Sequence, residues 1–387
     1  MTHVRDPRET RHLGAVLAVL LATGWAANHF AAIVPVLAER EGHSTALLDG
    51  VYGIYALGLL PGLIGGGALS DRLGRAWVVL PGALLAAAGT LVLLAQHDAA
   101  GLLVGRFVVG LGAGLTFGAG TAWAADIGGR SGTVLAGVFL TSGFAVGPFV
   151  SGGLAVVAPA PLTVPFAASA VLSLVAVGWA YAVAPSPAPG PLARPVGLTG
   201  GTGPGPALAW SLPVGVLVFA SVTVPLLTLP PRLPAGGGGP VLVGSAALLV
   251  LGVGVAVQTL ARARAFGPRA GIVGALSAAV GFGTAAAVGE QVSLLVLAVV
   301  CLALGSAYGL CLREGLLDVE TLAPAERRGL MTGVFYVVTY LGFGLPLLLT
   351  TLDPLLGARA PLLVVAALAA AVATLRWVQV RRGHPAR

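Results

Sequence analysis

The stretch Gly67-Ala68-Leu69-Ser70-Asp71-Arg72-Leu73-Gly74-Arg75 gathers an acid and two bases into a chain that is otherwise almost bare of charge. On either side of it lie apolar runs, at about 46 to 69 and 77 to 95. A helix needs about 20 mostly apolar residues to cross the roughly 30 Å hydrocarbon layer of a bilayer. The charged stretch therefore reads as a short turn between two membrane helices. Similar runs fall at about 13 to 37, 101 to 125, 133 to 157, 162 to 183, 208 to 229, 241 to 260, 271 to 289, 292 to 312, 330 to 351 and 360 to 378, which predicts twelve helices.

Composition supports the same reading. Of 387 residues, 57% are hydrophobic and 9% charged, and the mean hydropathy is +0.96, which cannot describe a water-facing surface. A soluble or disordered chain is excluded. A transmembrane barrel would show segments of about 10 residues alternating apolar and polar, whereas these runs are twice as long and apolar all round. The first run follows Arg5, Arg8 and Arg11 as a secretory leader would, but it is too long for one and continues into Pro35 and Glu39, so it is expected to be retained.

All 21 basic residues are arginine, and the formal net charge is +7. The arginines stand singly or in pairs between apolar runs rather than on one solvated face, which argues against a nucleic-acid partner. With the N-terminus placed in the cytoplasm, the inner segments carry sixteen of them and the outer loops only Arg40, Arg232 and Arg359. That bias predicts cytoplasmic N- and C-termini in the cell (inner) membrane. Cys301 and Cys311, ten residues apart on one expected helix, are about 15 Å apart along it and cannot bridge. No metal or cofactor is implied.

The Pro- and Gly-rich stretch 184–206 reads as a cytoplasmic linker between an N-terminal six-helix bundle, 1–183, and a C-terminal one, 207–387. The halves echo each other at a common offset. Phe30-Ala31-Ala32 before Pro35 matches Phe219-Ala220-Ser221 before Pro225; Gly137-Val138-Phe139 after Arg130 matches Gly333-Val334-Phe335 after Arg328; Asp126 and Asp318 each close the fourth run of their half. The expected fold is thus all-α, with 12 transmembrane helices in two pseudo-symmetric six-helix bundles.

The 67–75 stretch resembles the loop signature of the major facilitator superfamily, G-x-L-a-D-r-x-G-r-k-x-x-l, with Ala76 where a further base is usual. The resemblance implies a conformational latch made by Gly67, Asp71, Arg72, Gly74 and Arg75, with Asp126 pairing to Arg72 or Arg75. In the second half only Arg262, Arg264, Gly267 and Arg269 remain of it. The fourth run, with Leu102, Arg106, Gly110, Gly112, Ala113 and Gly114, resembles a second family pattern, with Val109 in place of its glutamine. Gly143, Gly147, Pro148 and Gly152 in the fifth run resemble the G-x-x-x-G-P-x-x-G-G pattern of antiporting exporters, with Ser151 for one glycine; such small residues suit a hinge or close contact between helices of opposite halves.

Arginine inside a span costs a few kcal/mol unless it finds water, an acid or carbonyls, so Arg106 is either a functional group or a side chain snorkelling to the outer interface. Asn28 and His29 interrupt the middle of the first run, and a midplane histidine can bind substrate or carry a proton. Tyr52, Tyr55, Phe117, Trp123, Tyr308, Tyr336 and Tyr340 are the aromatic candidates for lining a substrate or proton pathway. Asp49 is expected to stabilise a helix N-terminus, and Glu314 with Arg313 to lie at an inner helix end, leaving no carboxylate deep in a span. These features predict a monomeric secondary transporter working by alternating access, with a small neutral or amphipathic organic molecule as substrate, protons as the coupling ion, and efflux as the direction. Uptake by symport or uniport, and a non-transporting receptor, stay open. No catalytic constellation or nucleotide-binding loop is present, so an enzyme is not expected.

Overall fold

The computed structural model describes residues 7–183, 204–234, 238–289, 291–324 and 327–383. Arg5, Arg194, Arg387 and positions 184–203 of the expected linker lie outside these. The described residues contain no strand and belong to two compact units, Met1–Arg194 and Pro195–Arg387.

In the first unit, α1 (Pro7–Asn28) and α2 (Phe30–Glu41) form one 35-residue span broken at His29. They are followed by α3 (Thr45–Leu73), α4 (Ala76–Ala95), α5 (Ala99–Val157) and α6 (Thr163–Val183). Caps set the starts. Ser44 Oγ accepts from Leu47 N at 3.3 Å and Asp98 Oδ1 from Gly101 N at 3.3 Å, each satisfying an amide the helix leaves unpaired. In the second unit, α7 (Pro204–Gly215) begins on residues expected to be linker. It is followed by α8 (Leu217–Thr223), a π-turn over Val224–Thr228, α9 (Pro240–Ala263), α10 (Arg269–Val288), α11 (Leu294–Leu322), α12 (Arg328–Tyr340), α13 (Leu345–Leu356) and α14 (Arg359–Arg381).

Among the described residues, eleven helical segments have the length and hydropathy of a membrane crossing, against twelve expected runs. The difference lies in α5, which takes in both the fourth and the fifth run. Its 59 residues would span about 90 Å if straight, three times the hydrocarbon thickness. It is two helices joined across a kink at Gly129, whose φ of 57° and ψ of −142° lie where L side chains are strained. The expected turn has shrunk to a single glycine.

α5 packs against α1, α3 and α4. Its approach to α3 is close because side chains are missing on both faces: a Cβ on Gly58 would lie 2.1 Å from Phe107 O, and one on Gly110 2.1 Å from Tyr55 O. Backbones in contact hold Arg106, on this stretch of α5, beside the tyrosines of α3. In the second unit α11 packs against α7, α9 and α10, and α10 against α14. Leu57, Val104, Val175, Leu295 and Leu355 point outward and exposed, a surface suited to lipid rather than water.

Candidate functional site

The break between α1 and α2 assembles the site of the first unit. At the junction His29 keeps helical dihedrals (φ −59°, ψ −27°) and its N bonds Trp25 O at 2.9 Å, while Ala32 N reaches back to His29 O at 3.1 Å in a tighter turn; Pro35, further along α2, has no N–H to give the helix. The His29 ring is fully buried. Its Nδ1 lies 3.0 Å from Trp25 O and 3.1 Å from Ala26 O. Carbonyls only accept, so Nδ1 carries the hydrogen and Nε2 offers a lone pair, for which no partner stands among the described residues. Phe166 of α6 meets the ring edge to face, with centroids 5.4 Å apart.

Asn28 ties three helices together. Its Nδ2 donates to Phe144 O of α5 at 2.8 Å, and its Oδ1 accepts from Tyr52 OH of α3 at 3.1 Å. Arg106 lies against the same group, fully buried, with Nη1 donating to Ala27 O at 2.8 Å. Its guanidinium carbon is 4.6, 4.9 and 5.6 Å from the ring centroids of Tyr55, Phe30 and Tyr52. Arg106 therefore does not snorkel. The rings give cation–π attraction, strongest where water is excluded.

Of the other expected residues, Phe117 packs tilted against Phe144 at 5.6 Å between centroids, while Trp123 sits in the apolar core with Leu20 and Val79. In the second unit, Phe219 gathers Tyr340, Phe343 and Tyr308 at 4.5, 5.0 and 6.0 Å; Tyr336 packs on Phe335. Phe30 and Phe219 were not expected in either cluster. The signal was present in the repeat, where they occupy matching positions.

At the α3–α4 turn, Arg75 rather than Arg72 is the base that organises the acids. Its Nη1 pairs with Asp71, its Nε donates to Asp126 Oδ2 at 3.0 Å, and Nη1 also reaches Ser70 Oγ at 2.8 Å. Partial burial works against the charge, but the hydrogen bonds to Asp126 and Asp71 outweigh it and raise the pKa of Arg75. Gly74 follows α3 with a φ of 99°.

Gly143 and Gly147 abut α1 of their own unit: a Cβ on Gly143 would lie 2.1 Å from Leu21 O, and one on Gly147 2.9 Å from Trp25 Cα. Pro148 and Gly152 are buried in the same stretch, and the departure from helical geometry falls at Gly129 instead.

Glu314, expected at the end of its run beside Arg313, is buried together with a second acid in the second unit. α11 runs ten residues past the predicted end of its run, and Glu314 and Asp318, one turn apart, are both fully buried. Arg376 of α14 pairs with Asp318, stands 3.9 Å from Glu314 Oε2 and donates to Trp210 O at 3.1 Å; Arg313 pairs with Glu314. Two carboxylates at i and i+4 need a cation on whatever helix covers them, which hydropathy alone does not reveal.

Comparison with known proteins agrees with this architecture. A family model described as Major Facilitator Superfamily matches residues 15–345. A stretch of 105 residues is 30% identical to the Multidrug resistance protein MdtL of Klebsiella pneumoniae (strain 342), covering 27% of this chain and 27% of that relative. Among solved structures, a POT family transporter in complex with 5-aminolevulinic acid superposes with a TM-score of 0.79 at 14% identity, covering 96% of both chains. The POT family transporter PepTSo does so with a TM-score of 0.77 at 14% identity over 98% of both. At these identities the structural likeness establishes the fold.

Proposed function

Because this chain belongs to the Major Facilitator Superfamily, and is thereby a multi-pass membrane transporter rather than an enzyme, we propose that it is a proton-coupled exporter of a small neutral or amphipathic organic molecule. It works by alternating access of two six-helix bundles, 1–183 and 207–387, joined by the linker 184–206. Twelve crossings follow if α5 is counted as two, divided at Gly129. The arginine bias supports cytoplasmic termini in the inner membrane, and the chain acts as a monomer.

One observation carries the reading: polar groups of α1, α3 and α5 converge in a buried apolar setting at the break of the first span. Polar groups buried in a membrane protein are expensive and mark substrate or ion pathways. His29, with an unpartnered ring nitrogen, is the proposed proton carrier, and Arg106, Asn28, Tyr52 and Tyr55 its neighbours on the pathway; Phe117, Trp123, Tyr308, Tyr336 and Tyr340 are the proposed aromatic wall. Asp71, Arg72, Arg75 and Asp126, with Gly67 and Gly74, form the latch of one facing state, and the Gly143–Gly152 stretch its hinge. The partial likeness to a multidrug resistance protein supports efflux.

Counterflow in proteoliposomes, with and without an imposed pH gradient, tests the assignment. Accumulation in inside-out vesicles driven by an outward-directed proton gradient, with the lumen acid, is expected. Counterflow without any gradient response would replace proton-coupled export by uniport, and co-movement of proton and substrate by uptake symport.

A further inference from the structure

The surroundings of Arg106 define what the first-unit site can hold. The side chain is fully buried and makes no ion pair among the described residues. Its one hydrogen bond uses Nη1, toward Ala27 O. The ring faces of Phe30, Tyr52 and Tyr55 lie 4.6–5.6 Å from its guanidinium carbon. What is left over is one edge: Nε and Nη2 are both buried and without a hydrogen-bond partner. These two N–H groups point in parallel from one edge of the guanidinium, within its plane, the fork that matches the two oxygens of a carboxylate. A buried cation with an unpaired bidentate edge, aromatic surroundings and no ion-pair partner among the described residues is incomplete without an anion.

We propose that this edge of Arg106 receives the carboxylate of the transported compound, which is an amphipathic monocarboxylate whose apolar body lies against Phe30, Tyr52 and Tyr55. The inference rests on the transporter reading and narrows its substrate class. Bound substrate supplies the missing counter-charge, and the aromatic rings supply apolar contact. A dianion is disfavoured, because the site offers a second negative charge no cation among the described contacts of Arg106.

The test is equilibrium binding of radiolabelled 1-naphthoate to the purified full chain, competed by 1-naphthamide, its neutral counterpart of nearly the same shape. Naphthoate is expected to bind at least tenfold more tightly than the amide. Arg106→Gln should bring the two to within twofold of each other, whereas Arg106→Lys should keep a preference for the acid at reduced affinity, since an ammonium cannot grip both oxygens in one plane. Equal binding of acid and amide to the native chain, binding of neither, or an acid preference that survives in Arg106→Gln overturns the proposal. The acid-to-amide ratio on the native chain decides the matter even if Arg106→Gln does not fold. Counterflow of neutral compounds without naphthoate binding would remove this site and leave the transporter standing. Naphthoate binding without counterflow of it would keep an anion site at Arg106 but overturn its assignment to the transported compound.

Discussion

Asp126, three residues before the kink of α5 at Gly129, and Asp318, in the last turns of α11, are each paired with an arginine but in opposite settings. Asp126 accepts from Arg75 at 3.0 Å in a setting where its side chain is 40% exposed, while Asp318 is fully buried against Arg376 of α14. The first pair can open and close in water at modest cost. The second cannot, because separating it would leave two charges in an apolar interior.

Asp126→Asn should weaken the latch without unfolding the protein. Partly exposed ion pairs are worth about 0.2–1 kcal/mol, so the ratio of facing states should shift by up to about fivefold toward inward-open. Distances between spin labels at the cytoplasmic ends of α3 and α11 report the shift. High salt should produce part of the same change in the native protein, since it screens the same charges.

Asp318→Asn is expected to be far more damaging, by about 3 kcal/mol, because Arg376 would keep its charge with only the more distant Glu314 to compensate it. Thermal melting in detergent measures the loss. Replacing both partners, Asp318→Leu with Arg376→Met, should recover much of it, and a double variant as unstable as the single one would show that the pair does more than neutralise itself.

His29→Gln preserves a hydrogen-bond donor near Trp25 O and Ala26 O but cannot change its protonation. Accumulation driven by a pH gradient should fall to background while gradient-free counterflow persists. Undiminished gradient-driven transport would move the coupling group elsewhere, with Glu314 and Asp318 the next to examine.

Orientation is checked by single cysteines in a variant lacking Cys301 and Cys311. Positions Arg8 and Arg382 should be shielded from an impermeant thiol reagent in intact cells, and Arg40 and Arg232 labelled. Labelling of Arg382 from outside would reverse the assignment.

Hydropathy and spacing alone determined a polytopic helical membrane chain, the placement of nearly every span, and the loop and span signatures of the family that the match over residues 15–345 establishes. Those properties are written along one dimension, since lipid demands about twenty apolar residues at every crossing regardless of neighbours. Tertiary structure alone decided which arginine of the 67–75 turn meets Asp126, that Gly143 and Gly147 lie against α1, and that Phe30 covers Arg106. It also decided that Glu314 and Asp318 are buried with a base 58 residues beyond Asp318. Each of these depends on how a helix is rotated about its axis and on which distant segment packs against it. In so uniformly apolar a chain no polar face marks that rotation, and it is fixed only when glycines on two helices let their backbones touch.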